Sequence, residues 1–234
     1  MNHLQVLFPR PWQIRRPVVT RYMETAYVDA FFRDGSLRLS SFRRFRQYAD
    51  EVRGDGLEGR ASQTWTHPDG GHSAIVTING GRCFVLCGAS SEGPAIAEAF
   101  GTDDGFRILD TVAFADVVSR HIPGFIQGVE GLCMYRDDVG LIKAMPQMFT
   151  EADEADPTAA FERFDKAIQT ESVDSFFLKR LRYATQCEYR LIWMALGDEV
   201  DCIEIKCPEA IPFTERLTKP GTLPPGVPHP PSHA

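Results

Sequence analysis

The segment Thr185-Gln186-Cys187-Glu188-Tyr189-Arg190-Leu191-Ile192-Trp193 alternates polar and apolar side chains along its length. Successive residues of a strand point to opposite faces. One face would then carry Cys187, Tyr189, Leu191 and Trp193, a stripe suited to a core, and the other Gln186, Glu188 and Arg190. That pattern predicts a strand with one side buried and the other lining water or a cleft. A solvated face gives the same alternation, so the choice between water and cleft falls to the rest of the chain.

Working outward, a basic amphipathic stretch over 176–183 precedes this strand, and helices are predicted over 157–169 and 172–182. Residues 200–207 read as its hairpin partner across Gly197-Asp198. Nearer the N-terminus, Val18, Val19 and Thr20 favour a strand over 17–22. A helix capped by Thr25 and stopped by Gly35 follows, then a strand over 36–40 and a second helix capped by Ser40 or Ser41. The charged, Gly-rich residues 50–60 predict a surface loop. Strand-like runs over 61–67, 72–78 and 82–87, separated by Gly-rich turns, predict three consecutive antiparallel strands. A helix from Ser91, a strand over 106–109, a helix over 112–122 and strands over 128–135 and 140–144 complete the chain. The fold class is α+β with mostly antiparallel strands, since no regular βαβ alternation occurs. A single domain is predicted over 17–215, between an irregular arm (1–16) and a Pro/Gly-rich flexible tail (216–234).

With 234 residues, 43% hydrophobic and 24% charged, the composition is that of a soluble globular protein. No run approaches the ~20 apolar residues that cross a bilayer, and the N-terminus has no apolar stretch of a secretory signal. A cytoplasmic location is the expectation. The six cysteines lack zinc-site spacing and read as reduced core residues. A net charge of −7 argues against a broad grip on nucleic acid. Two basic clusters, Arg33 to Arg46 and Lys179 to Arg182, would form an anion site if they met in space. No dinucleotide, Walker, zincin or nucleophile-elbow signature is present.

Arg21-Tyr22, Ser40-Ser41 and Gln186-x-Glu188 fall at the ends of three predicted strands. In that order they resemble the mono-ADP-ribosyltransferase superfamily. More closely, the chain resembles an uncharacterised bacterial family placed near those transferases and often suspected of a role in phage defence. The resemblance covers residues 17–206. It rests on Arg21-Tyr22, Leu37-Arg38-Leu39-Ser40-Ser41-Phe42-Arg43-Arg44-Phe45-Arg46, Phe84-Val85-Leu86-Cys87-Gly88-Ala89-Ser90, and the run from Lys179 through Glu188-Tyr189-Arg190-Leu191-Ile192.

The resemblance implies two mostly antiparallel sheets split around a cleft for NAD+, which is the substrate, and no metal. The implied activity is ADP-ribosyl transfer or NAD+ hydrolysis, by an intracellular toxin or defence effector. Its acceptor would be nucleic acid, protein or water; a partner protein or antitoxin fits such a role, and a membrane does not. Glu188 would stabilise the oxocarbenium-like transition state, and Gln186 would position the acceptor. Arg21, with Tyr22 beside it, would hold a phosphate or the nicotinamide ribose. Ser40 or Ser41 would support the cleft and orient Glu188, while Arg43 and Arg46 would contact pyrophosphate or target. The superfamily's Ser-Thr-Ser stands here as Ser40-Ser41-Phe42, which leaves open which serine serves. The alternative is an inert version of the fold that binds a nucleotide, a nucleic acid or a partner protein.

Overall fold

Two long apolar runs organise the molecule, Cys83–Ala89 and Glu188–Ala195, which pair antiparallel from Glu188↔Ala89 to Met194↔Cys83. The structure is a computed structural model and describes residues 4–6, 17–47, 59–66, 70–78, 80–137, 140–144 and 173–217, with isolated positions 156, 158–159 and 162. In chain order the elements are β1 (Leu4–Val6), β2 (Val19–Tyr22), α1 (Thr25–Asp34), β3 (Ser36–Ser41) and α2 (Phe42–Gln47). Next come β4 (Arg60–Thr66), β5 (His72–Ile78), β6 (Cys83–Ala89), α3 (Pro94–Phe100), β7 (Gly105–Ile108) and α4 (Thr111–Ser119). The last are β8 (Phe125–Leu132), β9 (Met134–Arg136), β10 (Gly140–Ala144), β11 (Leu178–Arg180), β12 (Glu188–Ala195), β13 (Cys202–Lys206) and β14 (Thr214–Arg216). Among the described residues, three 3-10 helices, Val173–Phe177, Leu181–Gln186 and Pro208–Phe213, fill corners between strands.

Among the described residues, nine strands form one mostly antiparallel sheet, seven of them in the order β1-β8-β12-β6-β2-β7-β14 and two, β3 and β13, on a branch. β6 is its fork. One edge pairs with β12 throughout, while the other pairs with β3 at residues 84–85 and with β2 at Ala89. β13 extends the β3 branch. A strand with neighbours on both edges and both faces covered reads as a continuous apolar run, and Cys-Phe-Val-Leu-Cys-Gly-Ala is such a run.

The sheet is packed on both faces. On one, Tyr189, Leu191 and Trp193 join Leu39, Leu86 and Phe106 beneath α1 and α4, and Trp193 Nε1 donates to Ala115 O at 3.1 Å. On the other, Ile192 meets Val85, Val129, Phe42, Phe176 and Phe177. Each such buried side chain is worth about 1.5–3 kcal/mol, so β12 is secured from both sides. Local signals set the helix ends. Pro94 opens α3, Asp110 caps α4 by accepting from Ala113 N at 3.1 Å, and Gly35 closes α1 in the left-handed region at φ 72°.

Several expectations are corrected. β12 begins at Glu188, because Leu181–Gln186 is a 3-10 helix and Cys187 turns left-handed at φ 45°. The helix expected over 172–182 is instead a 3-10 turn followed by β11. β13 is no hairpin partner of β12 but pairs with β3, since β8 and β6 already occupy both edges of β12. β5 and β6 lie in different sheets; β4 and β5 pair antiparallel, with β10 parallel to β4. Among the described residues the sheets are thus three rather than two, the third being the parallel pair β9–β11. The arm over 1–16 is not wholly irregular, as β1 pairs parallel with β8. Thr25 does not cap α1; Glu24 takes that place without a side-chain bond. Residues 50–58 of the loop expected over 50–60, most of the helix over 157–169 and the tail from 218 lie outside the described residues.

A Cβ on Gly35 would stand 2.2 Å from the backbone carbon of Cys207, on a residue already at positive φ. Gly35→Ala is therefore expected to destabilise by more than the ~1–2 kcal/mol of left-handed backbone strain alone. A lowered urea midpoint at unchanged m-value checks it.

Candidate functional site

Glu188, the first residue of β12, is 3% exposed, and Arg190, two residues on, is 1% exposed. The face expected to line water or a cleft is therefore interior. Arg190 Nε donates to Glu188 Oε1 at 2.5 Å, and Lys179 Nζ donates to Glu188 Oε2. Lys179 also donates to Gln186 Oε1 at 2.7 Å, and Arg190 Nη1 to Phe176 O at 2.6 Å. The Arg190 guanidinium lies over the Phe42 ring, 5.5 Å from its centroid, and Lys179 Nζ lies 4.9 Å from that of Tyr183.

The backbone explains how this group assembles. The left-handed Cys187 breaks the alternation that would have continued through Gln186. Its carbonyl accepts from Ser90 N at 2.8 Å and from Ser90 Oγ at 3.0 Å, which fixes the break against the end of β6. β11 pairs Lys179 with Tyr135 of β9, and the Tyr135 hydroxyl accepts from Glu188 N at 2.6 Å. The short β9–β11 pair thereby carries both Lys179 and Tyr135 to the start of β12.

The electrostatics follow from burial and neighbours. Burial alone would raise the Glu188 pKa, but Arg190 and Lys179 outweigh it and hold the carboxyl well below its ordinary 4.5. Glu188 is an ionised interior carboxylate. Tyr135 is pushed upward by burial, so its hydroxyl stays protonated. A second interior acid, Glu130, has its pKa raised by burial and lies against Thr111 and Tyr189 on the opposite face of the sheet. Its signal was a lone acid in the apolar run Phe-Ile-Gln-Gly-Val-Glu-Gly-Leu.

The other expected residues distribute as follows. Gln186 joins the Glu188 cluster, though from a 3-10 turn and through Lys179. Thr20, Ala89 and Glu188 stand in one row across β2, β6 and β12. Arg21, next along, leaves β2 on the other face, the side of Val19 and Tyr189. Its Nη1 donates to Cys87 O at 2.8 Å, while its buried Nε has no partner among the described residues. Burial lowers the Arg21 pKa from its ordinary value. Tyr22 is half-buried and stacks on Phe100 with centroids 5.7 Å apart.

Ser40 is level with Val85 and Ile192, four residues from Glu188 along the sheet, or about 13 Å. Ser41 is fully buried, and its Oγ donates to Asp201 O at 3.2 Å rather than capping α2. Arg43 pairs with Asp201 at 3.3 Å, half-exposed, and Arg46 is half-buried in α2. Neither serine touches Glu188; the link runs through Phe42, which follows Ser41 and carries Arg190 on its ring. Lys179 and Tyr135 were missed as partners of Glu188, because nothing in their spacing announces the β9–β11 pair. No family model, curated protein or solved structure matches the chain.

Two consequences are measurable. Glu188→Gln leaves two buried cations facing a neutral amide and is expected to cost about 3–5 kcal/mol in urea unfolding. The folded pKa of Glu188 lies below its unfolded value, so its stabilisation is present above pH ~4.5 and fades as pH falls toward the lower folded value. Acid titration of stability should therefore be steeper below about pH 5 for the wild type than for Glu188→Gln.

Proposed function

We propose that the chain cleaves the nicotinamide–ribose bond of NAD+, as an ADP-ribosyltransferase or NAD+ glycohydrolase, with Glu188 as its acidic residue. One observation carries the reading: a carboxylate kept ionised in the interior at the start of β12, beside the strand where the sheet forks. The bond breaks with its electron pair leaving on nicotinamide, which gives an oxocarbenium-like ribose. A nucleophile on water, protein or nucleobase then bonds to the anomeric carbon and loses its proton. An ionised acid beside the ribose lowers the energy of that cation, and it binds a ribose hydroxyl more tightly as charge develops. Arg21 lies on the opposite face of the sheet from Glu188, so its buried Nε–H, which has no partner among the described residues, would serve a phosphate or ribose oxygen only away from that carboxylate. Both oxygens of Glu188 are held by cations, so catalysis on this scheme requires Lys179 to release Oε2 to the substrate.

A second reading is favoured by a specific observation. Glu188 is 3% exposed and Arg21 leaves the sheet on the opposite face, an arrangement suited to an inert binding module of this fold, in which the cluster only holds β12 in place.

Purified protein is incubated with NAD+ labelled in the adenylate, with DNA, RNA and cell lysate as acceptors. Nicotinamide release or label transfer that falls at least a hundredfold in Glu188→Gln and Glu188→Asp, both folded by circular dichroism, is the expected result. No turnover with any acceptor, or turnover unchanged in both variants, ends the transferase reading and leaves the binding module.

A further inference from the structure

On the face of the sheet opposite Glu188, three donor types converge where α4 ends against the corner after β13. His121 stands two residues past α4, with its backbone N–H donating to Val118 O at 3.0 Å. Cys207 closes β13, and Glu209 lies in the first turn of the following 3-10 helix. The imidazole nitrogen, thiol sulfur and carboxylate oxygen of these residues all lie within 4.8 Å of one another. We propose that His121, Cys207 and Glu209 form a site for a thiophilic divalent cation of the zinc class.

The geometry suits such an ion. Bonds of about 2.0–2.1 Å to a histidine nitrogen and a carboxylate oxygen, at the tetrahedral angle, set those two atoms about 3.3 Å apart. His121 Nε2 and Glu209 Oε2 are 3.3 Å apart. The donor set of one thiolate, one imidazole and one carboxylate selects zinc over magnesium or calcium, which prefer all-oxygen shells.

The site is also fixed in place. Cys207 is wholly buried, and its N–H donates to Gly35 O at 2.9 Å while its carbonyl accepts from Ala210 N at 3.1 Å. Gly35 approaches so closely that no Cβ fits between the two backbones. His121 and Glu209 are the accessible ligands, with side chains 32% and 60% exposed. The ion would enter from solvent on their side, with water completing the fourth position. An exposed His–Glu pair contributes little by itself; the thiol behind it gives the pair a purpose, and the ion would staple the end of α4 to the corner after β13.

The test uses the full chain after treatment with chelator. Zn2+ is titrated in by calorimetry, and Co2+ is added in parallel to report thiolate ligation through its charge-transfer absorption. One equivalent of Zn2+, a tetrahedral Co2+ spectrum with a thiolate band, and a raised Tm are expected. His121→Ala and Glu209→Ala should each weaken Zn2+ binding about tenfold or more, and Cys207→Ser should remove the thiolate band. Cys207 belongs to the core, so if its variant fails to fold the two surface variants carry the test. Cys87, Cys187 and Cys202 are only half-buried and can take up such an ion themselves. Absence of binding, or Zn2+ binding unchanged in both His121→Ala and Glu209→Ala, overturns the site.

Discussion

Glu188 meets Lys179 on one carboxylate oxygen and Arg190 on the other, almost wholly out of solvent. Much of the surrounding structure follows from the need to satisfy three interior charges. Taking a carboxylate-sized ion out of water costs several kcal/mol even after relaxation. Lys179, from outside β12, offsets that cost only if a separate element presents it at the right height. The β9–β11 pair does this, and the same register sets the Tyr135 hydroxyl against the Glu188 N–H. Arg190 in turn needs a partner for its remaining N–H groups, which the Phe176 carbonyl supplies, and a flat surface, which Phe42 supplies. The 3-10 helix Val173–Phe177 and the start of α2 are thereby tied to the central strand by polar as well as apolar contacts.

The fork at β6 has a related cause. A single long neighbour on its second edge would have left no gap there. Instead β3 takes residues 84–85 and β2 takes Ala89. Between them, the Cys87 carbonyl is met by the Arg21 guanidinium. A side chain thus stands where a backbone ladder would otherwise run, and Arg21 Nε is left without a partner among the described residues.

Much of this was legible in the chain. The apolar run of β6, the αL stop at Gly35 and the proline in the first turn of α3 are local signals, and the elements form where those signals stand; the Asp110 cap is a local signal that the expectation of a helix over 112–122 passed over. Pairing was less legible. Gly197-Asp198 looks like a hairpin turn, yet β12 had both edges taken by β6 and β8, and β13 went to β3. Edge competition of this kind is a property of the whole sheet and leaves no mark on a two-residue turn. The alternation through Gln186, Glu188 and Arg190 misled for another reason. Period-two polarity is the same whether the polar groups meet water or one another, and what decides between them is Lys179, brought against Glu188 by the β9–β11 pair.

A buried ion cluster is weak evidence for stability, because apolar side chains of similar volume often do as well or better in its place. Its presence at the start of β12 therefore calls for a reason beyond holding the strand. Two are physically distinct. In one, the charges specify register: Glu188, with Arg190 beside it on the same strand, fits only against Lys179, and a slip of one residue would turn it into the apolar core of Tyr189 and Leu191. In the other, the low dielectric that makes the cluster costly also makes an ionised acid a strong stabiliser of nearby positive charge. The first needs only that both oxygens stay engaged. The second needs one to be surrendered, although Lys179 is held by Gln186 Oε1 and lies against the Tyr183 ring just as Arg190 is held by Phe176 O and the Phe42 ring.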